Sequence, residues 1–164
     1  MVDFKLAINT KDFKIISELA KVIWTEHYTP IIGTDQVNYM LKKFQSEKAI
    51  KNQIANNGYK YFIICNTNSP IGYLSIKKEK ASLFLSKIYI DKANRGKGIG
   101  KVAMRFIIEQ AISLNCKKIY LTVNKYNTNS IMAYQKIGFK IIEELVIDIG
   151  NGFIMDDYKM EKSI

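Results

Sequence analysis

The spacing of apolar residues changes along the chain. Phe13, Ile16, Leu19, Ala20 and Ile23 recur at three- and four-residue intervals, which predicts a helix over 11–27 with Thr10 as its N-cap. Residues 4–8 read as a strand before it, and 35–44 and 47–55 as two further helices, the second capped by Ser46. Asn57-Gly58 breaks the chain, and the apolar runs then shorten to strand length over Tyr59–Asn66, 71–78 and 83–90. Helical spacing returns over 98–114, with Val102, Phe106, Ile107 and Ala111 on one side. Lys118–Asn124 is a strand, 127–137 a short helix stopped by Gly138, and 140–148 and 153–161 a closing pair of strands around "IGNG". The order β-α-α-α-β-β-β-α-β-α-β-β predicts a mixed α/β sheet with helices, with one crossover between Leu83 and Asn124.

One strand breaks its own pattern. In "LFLSKIYI" the aliphatic pairs Leu83/Leu85 and Ile88/Ile90 have opposite parity. A strand of period two cannot place both pairs on one face without an extra residue near Ser86-Lys87. A β-bulge is expected there, although a strand buried on both faces would give the same letters.

Charge sharpens the picture. The net charge is +10, and it is unevenly spread: residues 67–140 hold 14 Lys and Arg against three acids, whereas the remainder is nearly balanced. The basic half suits a polyanion, either a phosphorylated ligand or nucleic acid. Cys65 and Cys116 each sit among apolar neighbours at no metal-binding spacing, which reads as two reduced core thiols of a cytoplasmic protein. The N-terminus shows no signal-peptide pattern and no run is long enough to cross a bilayer, so no membrane role is expected.

The basic half contains "NRGKGIGKVAM", a glycine-rich loop opening a helix. A phosphate-binding P-loop needs Gly where Arg95 stands and Ser or Thr where Val102 stands. A dinucleotide fingerprint fits Gly98–Ala103 in letters, but seven residues separate it from the preceding strand and no acid ends the strand after it. What remains is R-x-x-G-x-G over Arg95–Gly100, a row of N–H groups at a helix start with Arg95, Lys97 and Lys101 around it.

That signature resembles the acetyl-CoA motif of the GNAT acetyltransferase family. A second match follows about 30 residues on: "NTNSIMAYQKIGF" resembles the family pattern N-x-x-A-x-x-x-Y-x-K-x-G-F, with Ser130 in place of the usual Ala. The outer segments also look like the branch that includes bacterial spermine/spermidine acetyltransferases. The resemblance implies one acetyltransferase domain over 1–164. Its fold would be a mostly antiparallel sheet of about seven strands with helices on both faces and a bulged, splayed central strand. It also implies acetyl-CoA as cosubstrate, with no metal. By the same resemblance Ile88, Tyr89, Ile90, Arg95, Gly96, Lys97, Gly98, Ile99, Gly100, Lys101, Asn127 and Tyr134 hold the cofactor. The N–H near Ile88 would face the thioester oxygen, and Tyr134 would protonate the leaving sulfur.

The amine end is less legible. An ordinary ammonium has a pKa near 10.4, so only about one in a few thousand is neutral at pH 7. Many relatives carry a carboxylate base on the bulged strand, but residues 82–90 contain no acid. Glu26 and His27, flanked by Trp24 and Tyr28, are the candidate base and acceptor-binding residues. Waters or desolvation of the amine would serve instead. The acceptor is expected to be a small, polyamine-like amine or a protein amine, and a homodimer fits the same family. The rival reading is an acetyl-CoA-binding regulator or a nucleic-acid binder. Nucleic acid is disfavoured, because no helix-turn-helix or RNP-like pattern is present.

Overall fold

A computed structural model describes residues 1–164. Strand β1 (Val2–Leu6) is followed by helices α1 (Thr10–Ile32), α2 (Thr34–Phe44) and α3 (Glu47–Asn56). Strands β2 (Tyr59–Asn66), β3 (Ser69–Glu79) and β4 (Ser82–Ile90) come next. Then follow α4 (Ile99–Ser113), β5 (Lys118–Asn124), α5 (Thr128–Lys136), β6 (Lys140–Gly150) and β7 (Phe153–Ser163). They form one seven-stranded sheet in the order β1-β2-β3-β4-β5-β7-β6, antiparallel except for β4 against β5.

Most element ends fall within two residues of the sequence expectation; those of β1 and α1 have a physical reason. The first strand begins at Val2, because Val2 pairs with Asn66, the last residue of β2, and it ends at Leu6 opposite Phe62. The cap of α1 is Asn9, not Thr10: its side-chain oxygen accepts the Asp12 N–H at 3.0 Å. Asp12 is fully buried, accepts the Ile8 N–H at 3.0 Å and pairs with Lys5 at 2.7 Å, which ties β1 to α1. The helix also continues past His27, through Pro30, to Ile32. Proline removes one N–H from the ladder; Ile32 packs against the helical core, and Gly33 closes the end with its N–H on the Thr29 carbonyl at 3.0 Å.

Strand alternation builds two cores. Along β2, Tyr61, Ile63 and Cys65 face α1–α3, where Ile16, Ala20, Ile23, Trp24, Val37 and Ile50 meet them. Phe62 and Ile64 face the other way, toward Ala103, Met104 and Ile107 of α4. Burial of each large aliphatic side chain contributes about 1.5–3 kcal/mol, so both faces anchor the sheet.

The bulge is present where the parity breaks. Ser75 pairs with Lys87 and Ile76 with Leu85, leaving Ser86 as the extra residue. Leu83, Leu85, Ile88 and Ile90 all pack on the α4 side as a result, while Tyr89 turns to the α1–α3 side. At the end of β4, where Gly72 pairs with Ile90, β3 comes close enough that a Cβ on Gly72 would clash with the Tyr89 carbonyl oxygen.

Candidate active site

The glycine loop is held from below. Asp91 accepts the Asn94 N–H at 3.0 Å and caps a single 3-10 turn over Lys92–Asn94. Arg95 donates from Nε to the Ile90 carbonyl at 2.9 Å, so its exposed guanidinium is tethered to the end of β4. Gly96 and Gly98 have φ of 75° and 79°, the left-handed region that favours glycine. With those two turns the five N–H groups from Gly96 to Gly100 find no acceptor within the protein, and the ladder of α4 starts only with the Lys101 and Val102 N–H groups on the Gly98 carbonyl. Nothing lies within 4 Å of the Cβ positions of Gly96, Gly98 or Gly100. A row of unpaired N–H groups at a helix start, with Lys97 and Lys101 exposed beside it, has the form of an anion nest.

The loop opens onto a split in the sheet. Strands β4 and β5 pair only from Ser82↔Lys118 to Phe84↔Tyr120 and then separate. Between them lies a cavity of about 130 Å³, lined by Leu85–Ile90, Leu121–Val123, Arg95, Asn127, Ser130 and Tyr134, with His27 and Tyr28 closing the helical side. Asn127 is buried at the start of α5. Tyr134 packs edge-on against Phe139 at 5.7 Å, and desolvation, reinforced by Tyr28, raises its phenol pKa, so it is a proton donor at neutral pH. Burial and then the Arg95 cation lower the pKa of His27, leaving its imidazole neutral, although Asn127 opposes this by hydrogen bonding.

A larger cavity, about 470 Å³, sits on the α1–α3 side and shares Tyr28, Ser86, Lys87, Tyr89, Thr122 and Val123 with the first. Trp24, Tyr28 and Tyr89 wall it with mutually edge-on rings at 5.6–6.2 Å, and the Tyr28 and Tyr89 hydroxyls lie 3.0 Å apart. Two ionisable groups meet at its floor. Asp157 of β7 is 3 % exposed, and desolvation, with Asp156 next to it, pushes its carboxyl up to about 6. Lys87, just past the bulge, donates to Ser86 Oγ at 2.8 Å; burial pulls its pKa down to about 8 against the pull of Asp157.

Residues 18–139 match the family model described as the acetyltransferase (GNAT) family. The chain belongs to the GNAT acetyltransferase family. It is 38% identical over 64 residues to a probable spermine N(1)-acetyltransferase of Bacillus subtilis subsp. natto, a stretch covering 38% of this chain and 42% of that protein. It is 23% identical over 117 residues to an L-ornithine N5-acetyltransferase of Arabidopsis thaliana, covering 71% and 49%. The chain thus spans about half, or less, of the length of these two curated relatives. The PaiA N-acetyltransferase of Thermoplasma acidophilum, solved in complex with coenzyme A, superposes with a TM-score of 0.82 at 18% identity, over 100% of this chain and 99% of that one. The spermidine/spermine acetyltransferase SpeG of Vibrio cholerae gives 0.69 at 21%, over 99% and 95%. These likenesses show the fold.

Within this GNAT fold the residues singled out from the sequence separate into three groups. Ile88, Tyr89, Ile90, Arg95, Asn127 and Tyr134 line the split, and Gly96 to Lys101 form the nest at its mouth. Trp24 and Tyr28 wall the larger cavity, and His27 borders the split. Glu26 is exposed and borders neither cavity. Sequence reasoning overlooked Asp157 and Lys87. A signal existed for the first: Phe153, Met155 and Asp157 share one strand face, so "FIMDDY" places a carboxylate in an otherwise apolar series.

Proposed function

We propose that the protein transfers the acetyl group of acetyl-CoA to a small primary amine, with residues 1–164 serving as one catalytic domain. The observation that carries this is the continuity of three parts: a nest of five unpaired N–H groups, a split between β4 and β5, and an aromatic cavity that joins the split at the bulge. The nest fits a pyrophosphate and the split fits an extended arm. The cosubstrate supplies an activated thioester. Gly96–Gly100 would hold its phosphates with Arg95, Lys97 and Lys101, and Asn127 and the Ile88–Ile90 backbone would hold its arm. The backbone at Ile88 would donate to the developing oxyanion, and Tyr134 would give its phenolic proton to the departing sulfur. Trp24, Tyr28 and His27 would shape the acceptor side. Exposed Glu26 borders neither cavity and is given no part in this scheme.

Two further readings accompany this one. Cys65 and Cys116 are both buried and unpaired, which supports the cytoplasm as the working compartment. Strand β6 is an 11-residue edge that exposes Ile141, Ile142, Val146 and Ile147, and a long apolar edge of this kind invites pairing. A second copy laid antiparallel would set Lys140 against Asp148 and Ile141 against Ile147. We infer a homodimer through β6, which sedimentation of wild type and Val146→Lys tests: a wild-type monomer removes it.

The test of activity is thiol release from acetyl-CoA over a panel of amines, with CoA binding measured beside it. Turnover with any amine supports the proposal. Tight CoA binding without turnover supports a regulatory binder. Absence of CoA binding overturns the reading.

A further inference from the structure

The acetyl-transfer reading leaves the acceptor's proton without an owner, and β4 has no acid to take it. We propose that Asp157 receives the acceptor's ammonium and takes its proton. The inference rests on the acetyltransferase reading, and it deepens that reading by naming the group at its amine end.

Geometry carries the case. Asp157 lies on β7 opposite Asn124, the last residue of β5, beyond the point where β5 has parted from β4. Its side chain is nearly fully buried, yet it makes no side-chain hydrogen bond and joins no ion pair. A buried carboxylate without partners is expensive to keep, and this one borders the larger cavity beside Trp24, Tyr28 and Tyr89. Aromatic faces with one carboxylate make a site for a single ammonium. The alternatives are worse placed. Glu26 faces solvent and borders neither cavity, and His27 borders the split but not the aromatic cavity.

The charged and titratable groups around Asp157 fit the task. Asp156 is its neighbour in sequence, turned toward Lys125 at 2.8 Å. Lys125 follows β5, Lys87 faces it from β4, and Tyr28 faces it from α1. Lys87 lies beyond the 4 Å of an ion pair and spends a hydrogen bond on Ser86 instead, so Asp157 is not consumed by it. Lys87 and Lys43 also leave the cavity with no surplus of negative charge. The substrate class that follows is an amine presenting one ammonium to the floor, not a polycation held at several points.

The reaction balances on these groups. The ammonium gives one proton to the Asp157 carboxylate, which later releases it to solvent. The freed nitrogen attacks the thioester carbonyl, the N–C bond forms and the C–S bond breaks. The second amine proton replaces the one that Tyr134 passes to sulfur, so the products are amide and free thiol.

Asp157→Asn tests this. With n-butylamine and with spermidine as acceptors, wild-type kcat/KM should be flat above about pH 7, with an acid limb near the Asp157 value of about 6. The variant should lose about 100-fold at pH 7, keep its CoA affinity, and climb about tenfold per pH unit toward the amine's own pKa near 10. The butylamine rate should suffer at least as much as the spermidine rate. A variant with wild-type rate and profile overturns the proposal. If wild type turns over neither amine, the acetyltransferase reading is in question on its own account. The Asp157 carboxyl resonance in ¹³C NMR then decides for this residue: a shift on adding n-butylamine to the CoA-loaded protein sustains the ammonium site, and no shift removes it.

Discussion

Asp157→Asn should stabilise the protein, and only at pH values where the aspartate is charged. Desolvation raises the carboxyl from 3.8 to about 6, so the folded chain holds that proton more tightly than the unfolded chain does. Below about pH 4 the group is protonated in both states and contributes nothing. Between pH 4 and 6 the unfolded chain loses the proton first, and folding then carries the cost of a buried charge. Above pH 6 the cost is complete at about 3 kcal/mol for the full displacement. Local rearrangement reduces what is measured, so a gain of about 1–3 kcal/mol at pH 8 is expected, or several degrees in Tm for a chain of this size. Lys87 subtracts a little, because Asp157 helps to keep its ammonium charged. Urea denaturation of wild type and variant at pH 4.5 and pH 8 measures the difference, with the m-value as a check that both unfold alike. A variant less stable than wild type at pH 8 would show that Asp157 is a structural partner. An equal gain at both pH values would show that its burial does not perturb its ionisation. Either result refutes the reasoning, whereas stabilisation combined with lost turnover is the signature of strain kept for function.

The remaining predictions concern the cofactor side. Tyr134→Phe should lower kcat by about 10- to 100-fold while calorimetry finds CoA affinity within about twofold, because only the departing sulfur needs the phenolic proton; full activity would remove the acid role. Gly98→Glu should abolish CoA binding by placing a carboxylate in the nest, and its left-handed φ of 79° adds strain of about 1–2 kcal/mol, visible as a lower Tm. Retained affinity would mean that the loop is only a helix start. Gly72→Ala forces a methyl onto the Tyr89 carbonyl, so β3 must shift from β4 where Gly72 pairs with Ile90. It should cost about 1–3 kcal/mol by overpacking and depress turnover with it, and an unchanged Tm would show that the strands yield freely there.

The two halves of the site differ in how they are written in the chain. The cofactor half lies between Ile88 and Phe139, nearly all of it in one crossover. Glycines that turn left and a switch of apolar parity are local signals, so the letters point to the loop and to a bulge near Ser86-Lys87, and the pairing of β3 with β4 decides against a strand merely buried on both faces. The end of α1 at Ile32 is not legible in this way, since the apolar spacing predicts a helix only to His27 and the last turn, through Pro30, depends on packing of Ile32 against the helical core. The acceptor half is non-local throughout. Its walls come from α1, α2, α3, β2, β4, β5 and β7, and its carboxylate is one of two adjacent aspartates. Asp156 and Asp157 point to opposite faces of β7; the letters put Asp157 on the face of Phe153 and Met155, but they do not say what that face meets. That is fixed by pairing Asp157 with Leu145 on one side and Asn124 on the other. A one-residue slip of β7 would put Asp156 on the cavity floor and Asp157 beside Lys125. Which aspartate stands on the cavity floor is therefore a property of sheet register, set by the pairing of β7 with both β5 and β6.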